Sequence, residues 1–413
     1  MNIRPLSRFD SPGRIAEEAK YVVEYDDGEQ EQLNISFHQT KQRLIRADRE
    51  LLVTQVSHGD GFRDVISKGA DGIGMPVHLM ERFVEAVVRT RKLSFDFHLR
   101  EDGKLVRVVE HEPGRYYNRL AQLIWVVFNS DFGLDRFALS PRAEVFRTVM
   151  KDLEPQAGHM TDCFRRFPMS WDRMASRYCG EFANELSFLI LRESDRCRLG
   201  QLLTKWAADG NRARIRMQSF VRTCVADRES VLALPLDTDY RNEVAGSISV
   251  EKAKRDHAKF VNRLRGNARL AAVAIGGIWS LDWAQAKGHY FRWLFLLDTS
   301  LTADPTEWTE LIADAWQRAV PGNVGHVHVP GVNDRARPAA GLIRIDDASQ
   351  MQMLTDEVDY IVEKDQYLQP KSIVGQRSWG TWVPAGTRED RRRKVASEPA
   401  STAGIGARGH ISQ

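Results

Sequence analysis

Residues 289–298 read HYFRWLFLLD, an apolar run that ends in an acidic residue and is typical of a strand buried in a sheet. The stretch before it, LAAVAIGGIWSLDW at 270–283, has the same character and predicts a second strand. VLALPLDTDY at 231–240 and GHVHVPG at 325–331 predict two more. These four strands indicate that the sheet in this half of the chain forms a core of its own.

Helical patterns separate these strands. VEKAKRDHAKFVNRLRGN at 250–267 follows the first strand, and DPTEWTELIADAWQRAV at 304–320 follows the third and opens on an Asp-Pro start signal. MLTDEVDYIVEKDQYL at 353–368 predicts a last helix. The order strand, helix, strand, strand, helix, strand is the split βαβ pattern of ferredoxin-like folds, in which helices pack on an antiparallel sheet.

The rest of the chain differs in pattern. Alternating stretches at 21–25 and 94–99, with a helical pattern at 77–93, predict a small mixed α/β region, and apolar residues at helical spacing predict a helical bridge after it. The fold class predicted is α+β, with a ferredoxin-like antiparallel sheet domain near the C-terminus. The predicted regions are a mixed α/β region at 1–142, a helical bridge at 143–222, the sheet domain at 223–386 and a disordered basic tail at 387–413.

Composition excludes several classes of protein. Of 413 residues, 42% are hydrophobic and 28% are charged, as in ordinary soluble globular proteins. No window of eighteen apolar residues and no apolar stretch behind the N-terminal charges is present, so we expect no membrane span, no secretory signal and a cytoplasmic location. The four cysteines form no CxxC pair and are interpreted as having no flanking histidine at zinc-site spacing, which predicts reduced, buried thiols. A net charge of +3 is too small to identify a class of binding partner. The sequence patterns give no information on the oligomeric state.

Five short segments in order carry a resemblance to a known family. They are GGIWSLDW, GHYFRWLFLLD, AAGLIRIDD, DYIVEKDQYL and the closing GQRSWGTW. In this order they resemble the motifs of inovirus-type (filamentous-phage) replication initiators, which belong to the HUH class of endonucleases. The resemblance covers a little over a third of the chain, and it implies a protein that cleaves and rejoins single-stranded DNA at an origin.

The resemblance also implies a set of site residues. In the family, two histidines at alternate strand positions and a nearby carboxylate hold Mn²⁺ or Mg²⁺, and a tyrosine on the last helix attacks the scissile phosphate with help from a lysine. The carboxylate position falls on Asp282 and the tyrosine position on Tyr360. Each residue also has a structural interpretation without catalysis. Tyr360 could pack onto the sheet as an ordinary aromatic residue, and Asp282 could be a turn residue.

The chain departs from the family at the other positions. Tyr290 and Arg292 stand where the two histidines belong, and neither a phenol nor a guanidinium can replace an imidazole on a metal. Glu363 stands where the lysine belongs, and Lys364 beside it could substitute in part. Arg292 could still bind a phosphate through two guanidinium N–H groups, which would hold DNA without cutting it. The alternative is that the Arg292 guanidinium packs over an aromatic ring.

A literal His-apolar-His sequence occurs on the next predicted strand. His326 and His328 share a face there, and they could rebuild a metal site with Asp282 if their strand lies beside the strand of Tyr290. The alternative is a pair of solvated histidines on an exposed strand. These two histidines and Asp282 are the ligands predicted for Mn²⁺ or Mg²⁺ if the protein is active; otherwise no cofactor is expected.

One helix carries mostly positive charge, which suits the phosphate backbone of DNA. Nearby tryptophans at 279, 283, 293, 379 and 382 could stack unpaired bases, although several of them also suit a core. We therefore expect single-stranded or hairpin DNA as the partner. The predicted DNA-binding residues, besides Arg292, are Lys252, Lys254, Arg255, Lys259, Arg263, Arg265 and Arg269.

The function predicted from the sequence is DNA binding by a protein derived from rolling-circle initiators of a phage or mobile element, with nicking weak or lost. One alternative is an active single-strand nickase with Tyr360 as the nucleophile and Lys364 as its helper. The other is an accessory factor that binds a protein partner through residues 1–222, which would leave 223–386 without DNA affinity.

Overall fold

The computed structural model describes residues 20–23, 39–47, 53–58, 61–66, 72–130, 133–284, 287–301, 304–329 and 339–385. Within these residues the fold is mixed α+β, as the sequence predicts, with helices packed around several antiparallel sheets. None of the helices described is both long and apolar enough to cross a bilayer. The predicted disordered tail at 387–413 lies outside the described residues.

The first half of the chain is mainly helical, with short strands. β4 and β5 form the predicted hairpin around Asp102 and Gly103, and β1 pairs with β5 to complete a three-stranded sheet. The elements are β1 (Lys20–Val23), α1 (39–47), β2 (Val53–His58), β3 (Gly61–Ile66), α2 (Gly74–Thr90), β4 (Phe95–Leu99), β5 (Leu105–Glu110), α3 (Tyr117–Phe128), β6 (Phe137–Leu139), α4 (Pro141–Asp152), α5 (Ala157–Phe164), β7 (Trp171–Asp172), β8 (Arg177–Tyr178), α6 (Cys179–Arg196) and α7 (Leu199–Val225).

These helices share one hydrophobic core. Phe83 of α2, Leu123 of α3, Phe146 of α4 and Phe182 of α6 belong to the same buried cluster. The predicted boundary between 142 and 143 therefore runs through a core, because α4 to α6 pack on the same apolar surface as α2 and α3. In the predicted bridge, α7 reaches the C-terminal sheet, where Met217 and Val221 pack against it.

The second half begins with a long buried strand and builds a six-stranded sheet. One predicted strand starts later than expected: α10 occupies 268–273, because the Asn267 side chain accepts a hydrogen bond from the Leu270 amide and caps a helix there. The elements are β9 (Ser230–Tyr240), α8 (Asn242–Ala245), α9 (Val250–Gly266), α10 (Ala268–Val273), β10 (Ala274–Ala284), β11 (Gly288–Asp298), α11 (Pro305–Ala319), β12 (Gly325–His328), β13 (Gly341–Arg344), α12 (Ala348–Tyr367), β14 (Leu368–Pro370) and β15 (Trp379–Trp382).

The strand order of this sheet is β12-β9-β11-β10-β15, and every pairing is antiparallel. β13 also pairs with β9, on the half of that strand that β12 leaves uncovered. β9 and β11 are therefore internal strands. Both are buried along nearly their whole length, which explains why their sequences read as continuous apolar runs.

Helices cover both faces of the sheet. Phe291, Trp293 and Phe295 point to the face covered by α9 and α11, where they form an aromatic core. The alternate residues Leu294 and Leu296 point to the other face, covered by α7 and α12. Opposite faces of β11 thus belong to two separate cores.

Helix α12 connects the two halves of the protein. Val358 and Ile361 pack on the sheet, while Tyr360 belongs to the core of the N-terminal helices. The strand that follows α12, β14, pairs with β6. The helix that carries the predicted nucleophile is therefore an internal element between two cores.

Candidate functional site

Polar residues form a row on the sheet face that α12 covers. Asp237 on β9 lies opposite Arg292 on β11, and Arg292 lies opposite Ser280 on β10. Asp282 is two residues beyond Ser280, so it shares this face. It lies within strand β10 and is not a turn residue, because β10 continues to Ala284.

Buried ion pairs connect this row to α12. Lys364 donates a hydrogen bond to Asp282 Oδ1, and Arg292 Nε lies 3.7 Å from Asp282 Oδ2. Asp282 is 0% exposed and Arg292 is 2% exposed. An unpaired charge at such a buried position would cost much folding free energy. Each of these charged side chains is therefore tolerated only because the others are present.

Tyr360 lies beside the same charges. The guanidinium carbon of Arg292 is 5.1 Å from the centroid of its ring, and that of Arg46 on α1 is 3.7 Å away. Arg46 also donates two hydrogen bonds of 2.8 Å to the buried carboxylate of Glu357 on α12. Helix α1 thus covers the ring, which is only 1% exposed.

Glu363, at the family's lysine position, is engaged by arginines. Arg214 of α7 lies 2.9 Å from its carboxylate, and Arg43 of α1 forms a second ion pair with it. Asp359, one helical turn earlier, pairs with the same two arginines. The acidic residues of α12 therefore hold α1 and α7 in place.

Asp365 is a titratable member of this site that sequence patterns did not identify. Burial raises the pKa of its carboxyl to about 7, against the opposing effect of the Lys364 cation and with a smaller contribution from Asp282. A carboxyl that exchanges its proton near neutral pH is common at functional sites, although ion-pair networks produce it too. Nothing in the local sequence distinguishes Asp365, because its pKa depends on groups from other elements.

The predicted metal ligands do not come together. β12 pairs with β9, so β9 and β11 separate His326 and His328 from Asp282, a distance of about 14 Å at ordinary strand spacing. His326 Nδ1 instead lies 2.8 Å from Asp239 Oδ1, which raises the pKa of this histidine. The condition for a rebuilt metal site, that their strand lies beside that of Tyr290, is not met, because β9 lies between the two strands.

A divalent ion of the Mn²⁺ or Mg²⁺ class does not fit this site. Asp282 is bound by a lysine and lies beside an arginine, so its carboxylate is already neutralised by two cations. Hard divalent ions need several oxygen ligands that converge on one point. We therefore derive no step through a metal at this position.

Some of the basic side chains of helix α9 are exposed to solvent, and others form contacts within the protein. Arg255, Lys259 and Arg263 are exposed and follow each other at intervals of four residues, so they form a stripe along one side of the helix. Lys252 pairs with Asp256 at 2.7 Å and Lys259 lies 3.6 Å from the same carboxylate. Lys254 contacts Gln376, and Arg269 pairs with Glu307. Within the described residues, Arg255, Arg263 and Arg265 form no ion pair.

The tryptophans divide between core and surface. Trp293 and Trp382 are fully buried among aromatic side chains, so they cannot stack bases. Trp279 and Trp379 remain partly exposed, and Arg377 lies over the ring of Trp279. Trp283 packs on Phe137 at the junction with the N-terminal half.

A second group of chemically competent residues was missed in the sequence. Among the described residues, the group of His, Cys and carboxylate ligand atoms that converge within 4.8 Å is His159, Cys163 and Asp172. The spacing of His159 and Cys163, four residues apart on a helix, is the one signal that could have indicated it. The interpretation that no histidine flanks a cysteine at zinc-site spacing overlooked this pair.

The buried ion cluster predicts a strong and non-additive effect on stability. Replacing Lys364 with Met leaves Asp282 buried without its lysine, which we expect to cost about 3–5 kcal/mol of unfolding free energy. The double variant Lys364→Met with Asp282→Asn should lose less than the sum of the two single losses, as measured by denaturant unfolding. Strictly additive losses would mean that the two side chains do not interact.

The raised pKa of Asp365 predicts a defined pH dependence. Its folded pKa lies above the unfolded value, so the stability it contributes is complete below about pH 4 and is lost as pH rises to about 7. Asp365→Asn carries no charge at any pH, so its stability relative to wild type should rise by up to about 1.4 kcal/mol per pH unit across this window. Asp356→Asn, which removes a half-exposed carboxyl from the same helix, is the matched control. A flat difference between wild type and Asp365→Asn would contradict the shift.

Protein-family models, curated proteins and solved structures were compared with this chain, and none of them matches it. The observations that bear on function are therefore those of its own geometry. That geometry brings Asp282, Arg292, Tyr360 and Lys364 into one buried cluster.

Proposed function

We propose that this chain is a DNA-binding protein derived from rolling-circle replication initiators, in which the nicking face is closed. The observation that carries the proposal is the cluster of Asp282, Arg292, Tyr360 and Lys364. The sequence resemblance assigned Asp282, Arg292 and Tyr360 to positions of one site, with Lys364 next to the fourth position, although Asp282 and Lys364 are 82 residues apart. Their contact in the structure supports that assignment.

The topology gives separate support. The first four strands of the sheet domain stand in the order β12-β9-β11-β10, in which α9 joins β9 to β10 and α11 joins β11 to β12. Both helices pack on the same face. This is the order of a ferredoxin-like split βαβ unit, which is the arrangement expected of initiator domains of the HUH class.

Three features argue for a closed nicking face. The donor set around Asp282 does not suit a divalent ion, Glu363 replaces a phosphate-stabilising lysine, and α1 covers the ring of Tyr360. A tyrosine nucleophile must reach the phosphorus atom of its substrate. The site therefore favours binding without cleavage over an active nickase.

The stripe of Arg255, Lys259 and Arg263 is the surface that we assign to DNA. Exposed guanidinium and ammonium groups on one side of a helix can neutralise successive phosphates and release their counterions. The partly exposed Trp279 lies on the neighbouring strand and its ring contacts His257 of the same helix. A base could stack there beside the phosphate contacts.

A second candidate function rests on the N-terminal half. Phe167, Trp171 and Met174 lie in or beside the β7–β8 hairpin with 58%, 43% and 86% of their surface exposed. Three large exposed apolar side chains within eight residues of sequence favour contact with a protein partner. This observation supports the accessory-factor alternative for residues 1–222.

DNA binding has a salt signature that tests the main proposal. The full chain should bind single-stranded DNA with an affinity that falls steeply as salt rises, because the contacts are with phosphates. Arg255→Glu combined with Arg263→Glu should weaken binding at least tenfold and reduce the slope of log K against log salt by about 1.4, at about 0.7 for each lost contact. Fluorescence anisotropy across a salt series measures both quantities.

Arg192→Glu with Lys205→Glu is the matched control, because it makes the same change in net charge at exposed positions on α6 and α7. This control should keep most of the affinity and the slope. No affinity of the wild-type chain for DNA would overturn the proposal in favour of the accessory factor.

Cleavage can be tested separately from binding. The lack of a fitting metal site should slow nicking by several powers of ten, so wild-type protein with Mn²⁺ should form no covalent tyrosyl-DNA adduct on a hairpin substrate. To separate a missing metal from a covered tyrosine, Arg46→Ala is combined with Glu357→Gln, which removes the ion pair that lies beside the Tyr360 ring. This variant should also form no adduct in a denaturing gel assay. An adduct that appears in it and disappears with Tyr360→Phe would make the protein a nickase inhibited by α1.

A further inference from the structure

The segment between α5 and α6 holds an unusual group of side chains. His159 and Cys163 lie one helical turn apart on α5, Asp172 ends the two-residue strand β7, and Cys179 is the first residue of α6. Three different elements therefore contribute to one small volume. None of these residues belongs to the cluster around Asp282.

The distances among these side chains approach those of a metal site. His159 Nε2 lies 2.8 Å from Asp172 Oδ2 and 3.9 Å from Cys163 Sγ, and the three ligand atoms all lie within 4.8 Å of one another. In a tetrahedral zinc site, bond lengths near 2.0–2.3 Å place the nitrogen and sulfur ligands about 3.6 Å apart. The separation of His159 Nε2 and Cys163 Sγ lies within a few tenths of an ångström of this value.

Cys179 is available as a fourth ligand. Its thiol lies outside the set of three and interacts electrostatically with the Cys163 thiol. Both cysteines are fully buried, and burial raises the pKa of each thiol, that of Cys179 to about 12. Two buried thiols with an imidazole and a carboxylate form a soft donor set, which selects zinc over Mg²⁺ or Mn²⁺.

The surrounding groups would orient the ligands. The Ala175 amide donates a hydrogen bond of 2.9 Å to Asp172, and Arg166 lies 3.4 Å from the other oxygen of that carboxylate. Such outer contacts hold a ligating carboxylate in one position. The side chain of His159 is 30% exposed, which leaves a path by which an ion can enter.

We propose that His159, Cys163, Asp172 and Cys179 form a structural zinc site. The β7–β8 hairpin has only two residue pairs, so its own ladder stabilises it weakly. Zinc would join the end of α5, this hairpin and the start of α6 through direct bonds. Each cysteine loses its proton to solvent when it binds, so two protons leave for each zinc that enters, and affinity rises with pH.

The test uses the full chain, reduced and stripped of metal, with zinc alone as the probe. Competition with a chromophoric chelator should give one tight zinc per chain, and zinc should raise the Tm by several degrees because it binds the folded state. Co²⁺ in place of zinc should give the visible bands of a tetrahedral site and a near-ultraviolet thiolate band. Calorimetry in buffers of different ionisation enthalpy should count about two released protons.

Variants assign the ligands. His159→Asn and Cys163→Ser should each weaken zinc binding at least tenfold, and Cys179→Ser should roughly halve the intensity of the cobalt thiolate band. Cys197→Ser removes a half-buried thiol elsewhere and should bind zinc as wild type does. Circular dichroism of the metal-free variants checks that they fold. If Cys163→Ser does not fold, His159→Asn still provides the test, because it changes a partly exposed position and keeps both thiols.

Two results would overturn the proposal. One is that the reduced wild-type chain does not bind zinc at a ratio of one ion per chain. The other is wild-type affinity in both His159→Asn and Cys163→Ser, which would locate the ion elsewhere. Neither result bears on DNA binding, so the outcome is independent of the proposed function.

Discussion

The ion pairs between Asp282, Lys364 and Arg292 are the interaction on which the arrangement of this protein depends. Lys364 of α12 donates to Asp282 of the sheet, and Arg292 lies beside the same carboxylate, next to the apolar contacts that Val358 and Ile361 make with this face. A buried charge is tolerated only when its partner is in place. The register of α12 on the sheet is therefore specified, and with it the position of Tyr360.

The same helix also organises the N-terminal half. Its outer side binds α1 through Arg43 and Arg46, and the β-strand that follows it pairs with β6. An initiator would need this side open to DNA. Here it is an internal interface, in which the ring of Tyr360 is covered and the carboxylate of Asp282 lies beside two cations.

Much of the fold could be predicted from the sequence because its signals are local. Alternation and continuous apolar runs located β4, β5, β9 and β11, and apolar spacing located α2, α9 and α11. The ordered motifs also located Asp282 and Tyr360, which lie in one cluster. The shorter strands β13, β14 and β15 were missed, since three or four residues carry little periodicity and gain their stability from strands already in place.

What the sequence determined by itself was therefore the type and order of the long elements and the chemical nature of each candidate side chain. Only the tertiary structure decided which of them meet. Strand order, which depends on non-local pairing, inserted β9 between His326 and Tyr290 and so removed the predicted metal site. Packing of three separate elements brought His159, Cys163 and Asp172 together. Burial, which depends on the whole fold, raised the pKa of Asp365, because the free energy of a charge is set by everything around it.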